Sequence, residues 1–341
     1  MTAPLTETMP KGSTDAAQGV RVALTGASGF IGQSLSAALP FRLRRLVRRS
    51  EQRVSDADLV GAMSRSARPL FDQFVTDTDV LVHLASGVSS PRVSIANLAR
   101  DLDETLLGSL ALFEAFATAN PRGHIVFASS GGALYDPALP PGLRRETDTL
   151  SPVSHYGVLK LTLERYLHII ARTYGVRVTV LRIGNPYGRL LPLARAQGIV
   201  GVLFSSIVER KPFPIFGDAA YMQSTVRDYI HLRDVNQAVE KAIRVALSDP
   251  RRDGSSPRSS GSFEVYNIGT GVGVSNQGVL DLVEQVSGRT VEKRFEPGPV
   301  IDGSYVTLDI SKARRELGFA PELGLAQGIE LMWQQLNEDG R

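Results

Sequence analysis

Residues 24–32 read LTGASGFIG, an apolar run that closes on Gly26 and passes through Gly29 and Gly32 into a helical stretch stopped by Pro40. Few sequence features restrict a chain more. A first glycine permits a tight turn after a strand. A second lets backbone approach a diphosphate, and a third lets the following helix pack against the strand. The helix then presents unpaired N–H groups and the positive end of its dipole to the phosphates. The chain thus opens with a dinucleotide cradle, in which Ser28, Phe30 and Ile31 line the turn beside the three glycines.

The rest of the chain agrees with that start. FRLRRLV, DVLVHLAS, HIVFASS, VRVTVLRIG and EVYNIGTG are apolar, β-rich runs separated by helical stretches, the longest being LARDLDETLLGSLALFEAFATAN. Continuously apolar strands alternating with helices predict an α/β fold with a doubly wound parallel sheet covered on both faces. Residues 20–187, with 226–248 and 262–270, are expected to form the dinucleotide-binding domain. Residues 188–225 and 271–341 are expected to form a smaller, mostly helical domain for the substrate. Residues 1–19 lack an apolar core and read as a disordered tail, not a signal peptide. The basic, Ser/Gly-rich stretch 249–261 reads as a mobile loop.

Composition narrows the function. Of 341 residues, 43% are hydrophobic and 21% charged, as in an ordinary soluble domain. A net charge of +3 is too small to argue for nucleic acid, and no run is long enough to span a membrane. The chain has no cysteine, which excludes disulfides and thiolate metal sites and fits a cytoplasmic protein. Its five histidines are scattered, so no metal site is expected.

The second strand ends in Arg48 and Arg49, with no carboxylate there to hold a ribose diol. Arginine at that place suits a 2′-phosphate, so NADP is favoured over NAD. Asp58 and Leu59, at a short third strand, are candidates for the adenine edge. Further along, SHYGVLKLTLERYL carries Tyr156 and Lys160 four apart at helical periodicity, on one face. An ammonium beside a phenol, together with the positive charge of a nicotinamide, favours the phenolate, which makes the pair a proton donor and acceptor able to work near neutrality. The lysine can also bond the nicotinamide ribose.

Taken together and in order, LTGASGFIG, VLVHLAS, VFASSGGALY, YGVLK, LRIGNPYG, PIFGD, RDYIHLRDV, YNIGTG and LDISKARRELGF resemble the extended short-chain dehydrogenase/reductases, specifically the nucleotide-sugar epimerase/dehydratase family. The resemblance covers nearly everything after the tail. It implies cofactor contacts from Leu84, Ala85, Ser86 and Ile183, besides Tyr156 and Lys160. It also implies a nucleotide-diphosphate sugar as substrate, with UDP-sugars favoured. Asn185 and Arg227 would bind the diphosphate, Ile215 and Phe216 the base, and Asp302 the nucleotide ribose. The family's helical dimerisation implies a homodimer; the apolar face of LLGSLALFEAF is either a further contributor to it or a core helix.

Four departures stand out. The positions that usually carry a catalytic hydroxyl are Gly131 and Ala133, which leaves Ser130 as the nearest supplier. Tyr156 acting alone, or loss of the chemistry, are the alternatives. Thr105 stands for a common helix asparagine and His155 for the proline common before the tyrosine. Pro299 stands where an arginine would bind diphosphate, unless Arg294 or Arg189 reaches over. No acid lies at 131–133 to assist loss of water, so a 4-epimerase is the first expectation. An NADPH-dependent 4-keto-sugar reductase is the second, and a dinucleotide-binding protein without turnover the third.

Overall fold

The computed structural model describes residues 19–87, 95–191, 198–216, 219–247, 261–296 and 305–338. The expected tail and the 249–261 loop lie almost wholly outside them. The first half runs β1 (Arg21–Thr25), α1 (Phe30–Ala38), β2 (Arg42–Val47), β3 (Leu59–Val60), α2 (Arg68–Val75), β4 (Val80–His83), α3 (Ile95–Asp101), a π-helical segment (Leu102–Leu107), α4 (Gly108–Ala119), β5 (His124–Ser130), α5 (Gly131–Leu134), β6 (Leu143–Arg144) and α6 (His155–Tyr174). The second half continues with β7 (Arg177–Ile183), β8 (Asn185–Tyr187), α7 (Gly198–Glu209), β9 (Phe213–Phe216), α8 (Ala219–Ser224), β10 (Val226–His231), α9 (Leu232–Leu247) and β11 (Phe263–Ile268). It closes with β12 (Gly273–Ser275), α10 (Asn276–Ser287), β13 (Lys293–Glu296), β14 (Tyr305–Leu308), α11 (Ser311–Leu317) and α12 (Leu325–Glu338).

Seven strands form one parallel sheet in the order β11-β7-β5-β4-β1-β2-β3. The order reverses between β1 and β4. In an open parallel sheet the crevice at such a reversal, beyond the carboxyl ends of the strands, is where ligands bind. Burial explains why the strands read as unbroken apolar runs. One face packs Leu35 of α1, Val235 and Val239 of α9, and Ala313 and Leu317 of α11. The other packs Phe71 and Phe74 of α2, Phe113 and Phe116 of α4, and Leu163 and Leu167 of α6.

Helix α6 shows how local sequence sets the frame of a site. Ser154 caps it, accepting from Gly157 N at 3.1 Å, and Gly175 ends it in the left-handed region at φ 78°. A carbon added at Gly157 would lie 2.4 Å from the Ala133 carbonyl oxygen. Only glycine there lets the first turn of α6 seat against α5.

The second half is richer in strands than its pattern suggested. Strands β12, β10, β14 and β6 form a second sheet, with β8 also paired to β10, and β13 pairs β9. A third core joins Tyr187, Phe204, Ile215, Val279, Ile329 and Met332. Val306, Leu308, Ala313, Leu317 and Phe319, expected with the smaller domain, instead belong to the core beside the large sheet.

Candidate active site at the carboxyl edge of the sheet

The glycine turn has the shape its spacing promised. Gly26 sits at φ +71°, and a carbon added there would come within 2.8 Å of Ala85 N. At Gly32 it would lie 2.0 Å from the Gly26 carbonyl oxygen, so α1 rests directly on the turn. The nine-residue α1 is preceded by Gly29, has no side-chain cap and has no acid in its first turn. Its leading N–H groups are therefore open to an anion. Ser28, Phe30 and Ile31 are half-buried around this turn. Opposite it, Leu84, Ala85 and Ser86 follow β4, and the buried Ser86 Oγ has no hydrogen-bond partner. A turn that a single methyl would fill, leading into a helix start with open N–H groups, fits a dinucleotide. Beneath it, the buried His83 bridges Thr25 Oγ1 at 2.8 Å and Ser109 Oγ at 2.9 Å. Burial, followed by the charge of Lys160, pushes that imidazole down to about 3 and keeps it neutral.

Past β2, Arg48 and Arg49 are exposed, and Gln52 Oε1 accepts from both backbone N–H groups at 3.2 Å. Asp58 corrects an expectation. One of its oxygens accepts from Arg45 N, Arg45 Nε and Ser55 Oγ, the other from Val54 N and Ser55 N. With its side chain 0% exposed, the carboxylate ties the 53–58 loop to β2 and is not available to an adenine amine. Leu59 continues as β3. Reversing both charges, Arg48→Glu with Arg49→Glu, is expected to weaken NADP(H) binding about tenfold or more and to leave NAD binding within about threefold. Calorimetric titration with each cofactor checks this; an unchanged NADP affinity would remove the two arginines from the site.

Tyr156 and Lys160 lie on the first turns of α6, with the Lys160 ammonium 5.7 Å from the Tyr156 ring centroid. Lys160 Nζ donates to the Ala128 carbonyl at 2.8 Å, which ties α6 to β5. Burial pulls this amine down to about 8, while Glu164 holds it up. Burial pushes Tyr156 up to about 12, and the group that pulls it back is Ser130, through a side-chain hydrogen bond, not Lys160. In the low dielectric of the site, desolvation of the phenolate outweighs an ammonium that is itself occupied by a carbonyl.

Ser130 is thus the hydroxyl that bears on the Tyr156 phenol, although the usual hydroxyl positions are empty. Ser130 ends β5 with extended backbone, at φ −128°, and caps α5. The glycines after it are dictated by packing. A carbon on Gly131 would lie 2.6 Å from Leu308 Cδ1, and one on Gly132 3.0 Å from Asn185 Oδ1.

Sequence reasoning missed what lies under Ser130. Ser129 Oγ donates to Glu164 Oε1 at 2.5 Å. The Arg182 guanidinium grips the same carboxylate through Nε at 3.2 Å and Nη2 at 2.8 Å. Arg182 Nη1 also donates to the Tyr135 hydroxyl at 3.2 Å, and that hydroxyl donates to Asn267 Oδ1 at 2.6 Å. Glu164 and Arg182 are 3% and 4% exposed at the side chain. A glutamate four residues after Lys160 on the helix, and an arginine inside an apolar strand, were the available signals.

The substrate side is assembled from the second half. Asn185 begins β8 against Gly132, and Arg227 is buried in β10, where Nη1 donates to the Val226 carbonyl at 2.8 Å. Ile215 is 3% exposed within the third core, so its side chain is spent on packing and not on a base. Asp302, Pro299 and the side chain of Phe216 fall outside the described residues. Arg294 is paired with Glu296. Ile183, 3% exposed, ends β7 beside the cleft. Among the described residues there is no cluster of metal ligands, and no helix is long and apolar enough to cross a membrane.

An open parallel sheet with a glycine cradle at its reversal, and a Tyr–Lys pair on α6, define a dinucleotide-dependent enzyme. The chain belongs to the NAD dependent epimerase/dehydratase family, whose profile matches residues 22–269. It is 29% identical over 266 residues to a putative UDP-glucose 4-epimerase of Methanocaldococcus jannaschii, covering 78% of this chain and 79% of that one. It is also 28% identical to the dTDP-4-dehydro-6-deoxyglucose reductase of Escherichia coli, covering 73% and 72%. Among solved structures it resembles the UDP-glucose 4-epimerase of Thermotoga maritima with UDP-glucose (27% identity, TM-score 0.77, covering 94% and 100%). It similarly resembles the Thermus thermophilus UDP-glucose 4-epimerase complex with NAD (26% identity, TM-score 0.77, covering 93% and 99%).

Proposed function

We propose that this chain is a nucleotide-sugar 4-epimerase that uses a bound nicotinamide cofactor, NAD or NADP, for transient oxidation at a sugar carbon. The observation that carries this reading is the placement of Tyr156 and Lys160 one turn apart on α6, with the Lys160 ammonium 5.7 Å from the phenol ring and tied to the end of β5. UDP-glucose 4-epimerases among its relatives support a UDP-sugar as substrate.

Tyr156 takes the proton of the sugar hydroxyl and later returns it. Ser130 donates to the phenol oxygen as negative charge gathers there, and it is placed to steady the sugar oxygen beside it. Lys160, anchored on Ala128, holds α6 against β5 and contributes positive charge. The oxidised nicotinamide, when bound, brings further positive charge and takes up hydride reversibly. Asn185 and Arg227 serve the diphosphate, as an amide and a guanidinium suit phosphate oxygens. Dehydration is disfavoured because Gly131, Gly132 and Ala133 offer no acid.

Ser130→Ala is expected to lower kcat roughly 10²-fold with little change in cofactor affinity, the scale of one proton-transfer partner. Unchanged turnover would leave Tyr156 acting alone.

Two observations favour a second reading. Arg48 and Arg49 suit NADPH, and the similarity to the Escherichia coli reductase points the same way, toward reduction of a nucleotide-linked 4-keto sugar. A panel of nucleotide-sugars incubated with each cofactor separates the two, since epimerisation returns its cofactor unchanged and reduction consumes it.

We also place the enzyme in the cytoplasm as a homodimer. With no cysteine, its fold needs no oxidising compartment. Val158, Tyr166 and Ile169 of α6 expose 48%, 45% and 58% of their surface, an apolar stripe next to Leu107 that suits helix-to-helix pairing. A solution mass of one chain would remove the dimer.

A further inference from the structure

Tyr156 is the second residue of α6, so its position depends on how the first turn of that helix is held. On one side the turn presses on Ala133 and Pro152 through Gly157. On the other, His155 points at the end of α3: its Nε2 lies 3.5 Å from Asp101 Oδ2, with side chains 9% and 7% exposed. Among the described residues, neither His155 Nε2 nor Asp101 Oδ1 has a hydrogen-bond partner. Arg100 Nη2 lies 3.6 Å from Asp101 Oδ1. Two buried polar groups that face each other with so little else to bond are costly unless they interact.

Asp101 sits where the helix widens into the π segment, a feature that recurs at functional sites. From that segment Thr105 Oγ1 accepts from Gly87 N at 2.9 Å, in the loop facing the glycine cradle. The short helical stretch from Asp101 through Thr105 thus carries Thr105 and faces His155. It touches the cofactor loop through one and the first turn of the Tyr156 helix through the other.

We propose that the Asp101–His155 pair is a positioning device that holds the first turn of α6, and with it the Tyr156 phenol, in place beside Lys160. Asp101 touches neither substrate nor cofactor. It acts through His155. This rests on the proton-transfer role of Tyr156 in the proposed epimerase.

The test uses the full chain with Asp101→Asn, His155→Ala and His155→Gln, the last keeping a nitrogen donor near the Nε2 position. Asp101→Asn and His155→Ala are expected to lower kcat about tenfold or more while KM stays within about twofold, since small misplacements of a reacting group cost that much. His155→Gln is expected to recover most of the loss. Equal loss in the Ala and Gln variants, or wild-type kcat in Asp101→Asn, overturns the proposal. Amide hydrogen exchange over residues 154–158 decides it without turnover: Asp101→Asn should speed exchange there and leave the glycine cradle unchanged, and equal exchange overturns it. Absence of turnover in the wild-type protein would sink the epimerase reading instead.

Discussion

Tyr156→Phe is expected to reduce turnover about 10³-fold while the protein still folds and still binds its dinucleotide. The substitution removes one oxygen from a helix whose cap, Ser154, and whose anchor, Lys160 on Ala128, are untouched. What disappears is the group that takes and returns the proton, and a positioned acid–base is worth about 10²–10⁴ in rate. The phenol stands high in this chain, at about 12, because burial disfavours the phenolate and Ser130 offsets only part of that. It therefore starts protonated at neutral pH, and the positive charge of an oxidised cofactor has work to do in making it a base. Steady-state rates with a nucleotide-sugar, alongside a cofactor titration, check this. Loss of cofactor binding together with rate would mean the ring is structural.

Arg182→Leu should cost about 3–5 kcal/mol of stability, the scale of breaking a buried ion pair. The leucine leaves Glu164 buried with its charge, facing Ser129 and opposite Lys160, and leaves the Tyr135 hydroxyl without its guanidinium. Burial works against the charge on Arg182, yet the hydrogen bonds and charge of Glu164 outweigh it and raise its hold on the proton further. Urea denaturation should show the midpoint fall with the slope unchanged. Pairing Arg182→Leu with Glu164→Met should recover much of the loss, because an apolar pair of similar volume replaces a buried ion pair at little cost. A single variant as stable as wild type would show that the pair contributes nothing to the fold.

The parts of this molecule that were legible beforehand are those whose reason is local. Gly26, Gly29 and Gly32 could be read because a strand, a tight turn and a helix in succession leave few other uses for that spacing. Tyr156 and Lys160 could be read because i, i+4 on a helix is a geometric statement. Asp58 could not, since its fate is decided by five donors from Arg45, Val54 and Ser55 that no pattern announces. Ile215 was lost to the third core for a similar reason, as burial is a property of the assembled domain. Strands as short as Asn185–Tyr187 and Gly273–Ser275 carry too few residues for a period of two to show, which is why the second half read as helical. Glu164 and Arg182 are 18 residues apart, on a helix and a strand, and become partners only once α6 packs on the sheet. What burial does to the phenol is hidden from sequence for the same reason. Proximity to a lysine is visible in sequence, whereas desolvation is not.

The most direct measurement is the proton NMR spectrum of a nucleotide-sugar incubated with the purified wild-type enzyme and with Tyr156→Phe, each with a trace of cofactor. The account predicts that the wild type interconverts the two C4 epimers with no net change in nicotinamide absorbance, and that the phenylalanine variant does so about 10³-fold more slowly. Epimers formed equally fast by both proteins would contradict it, as would steady consumption of NADPH in place of any epimer.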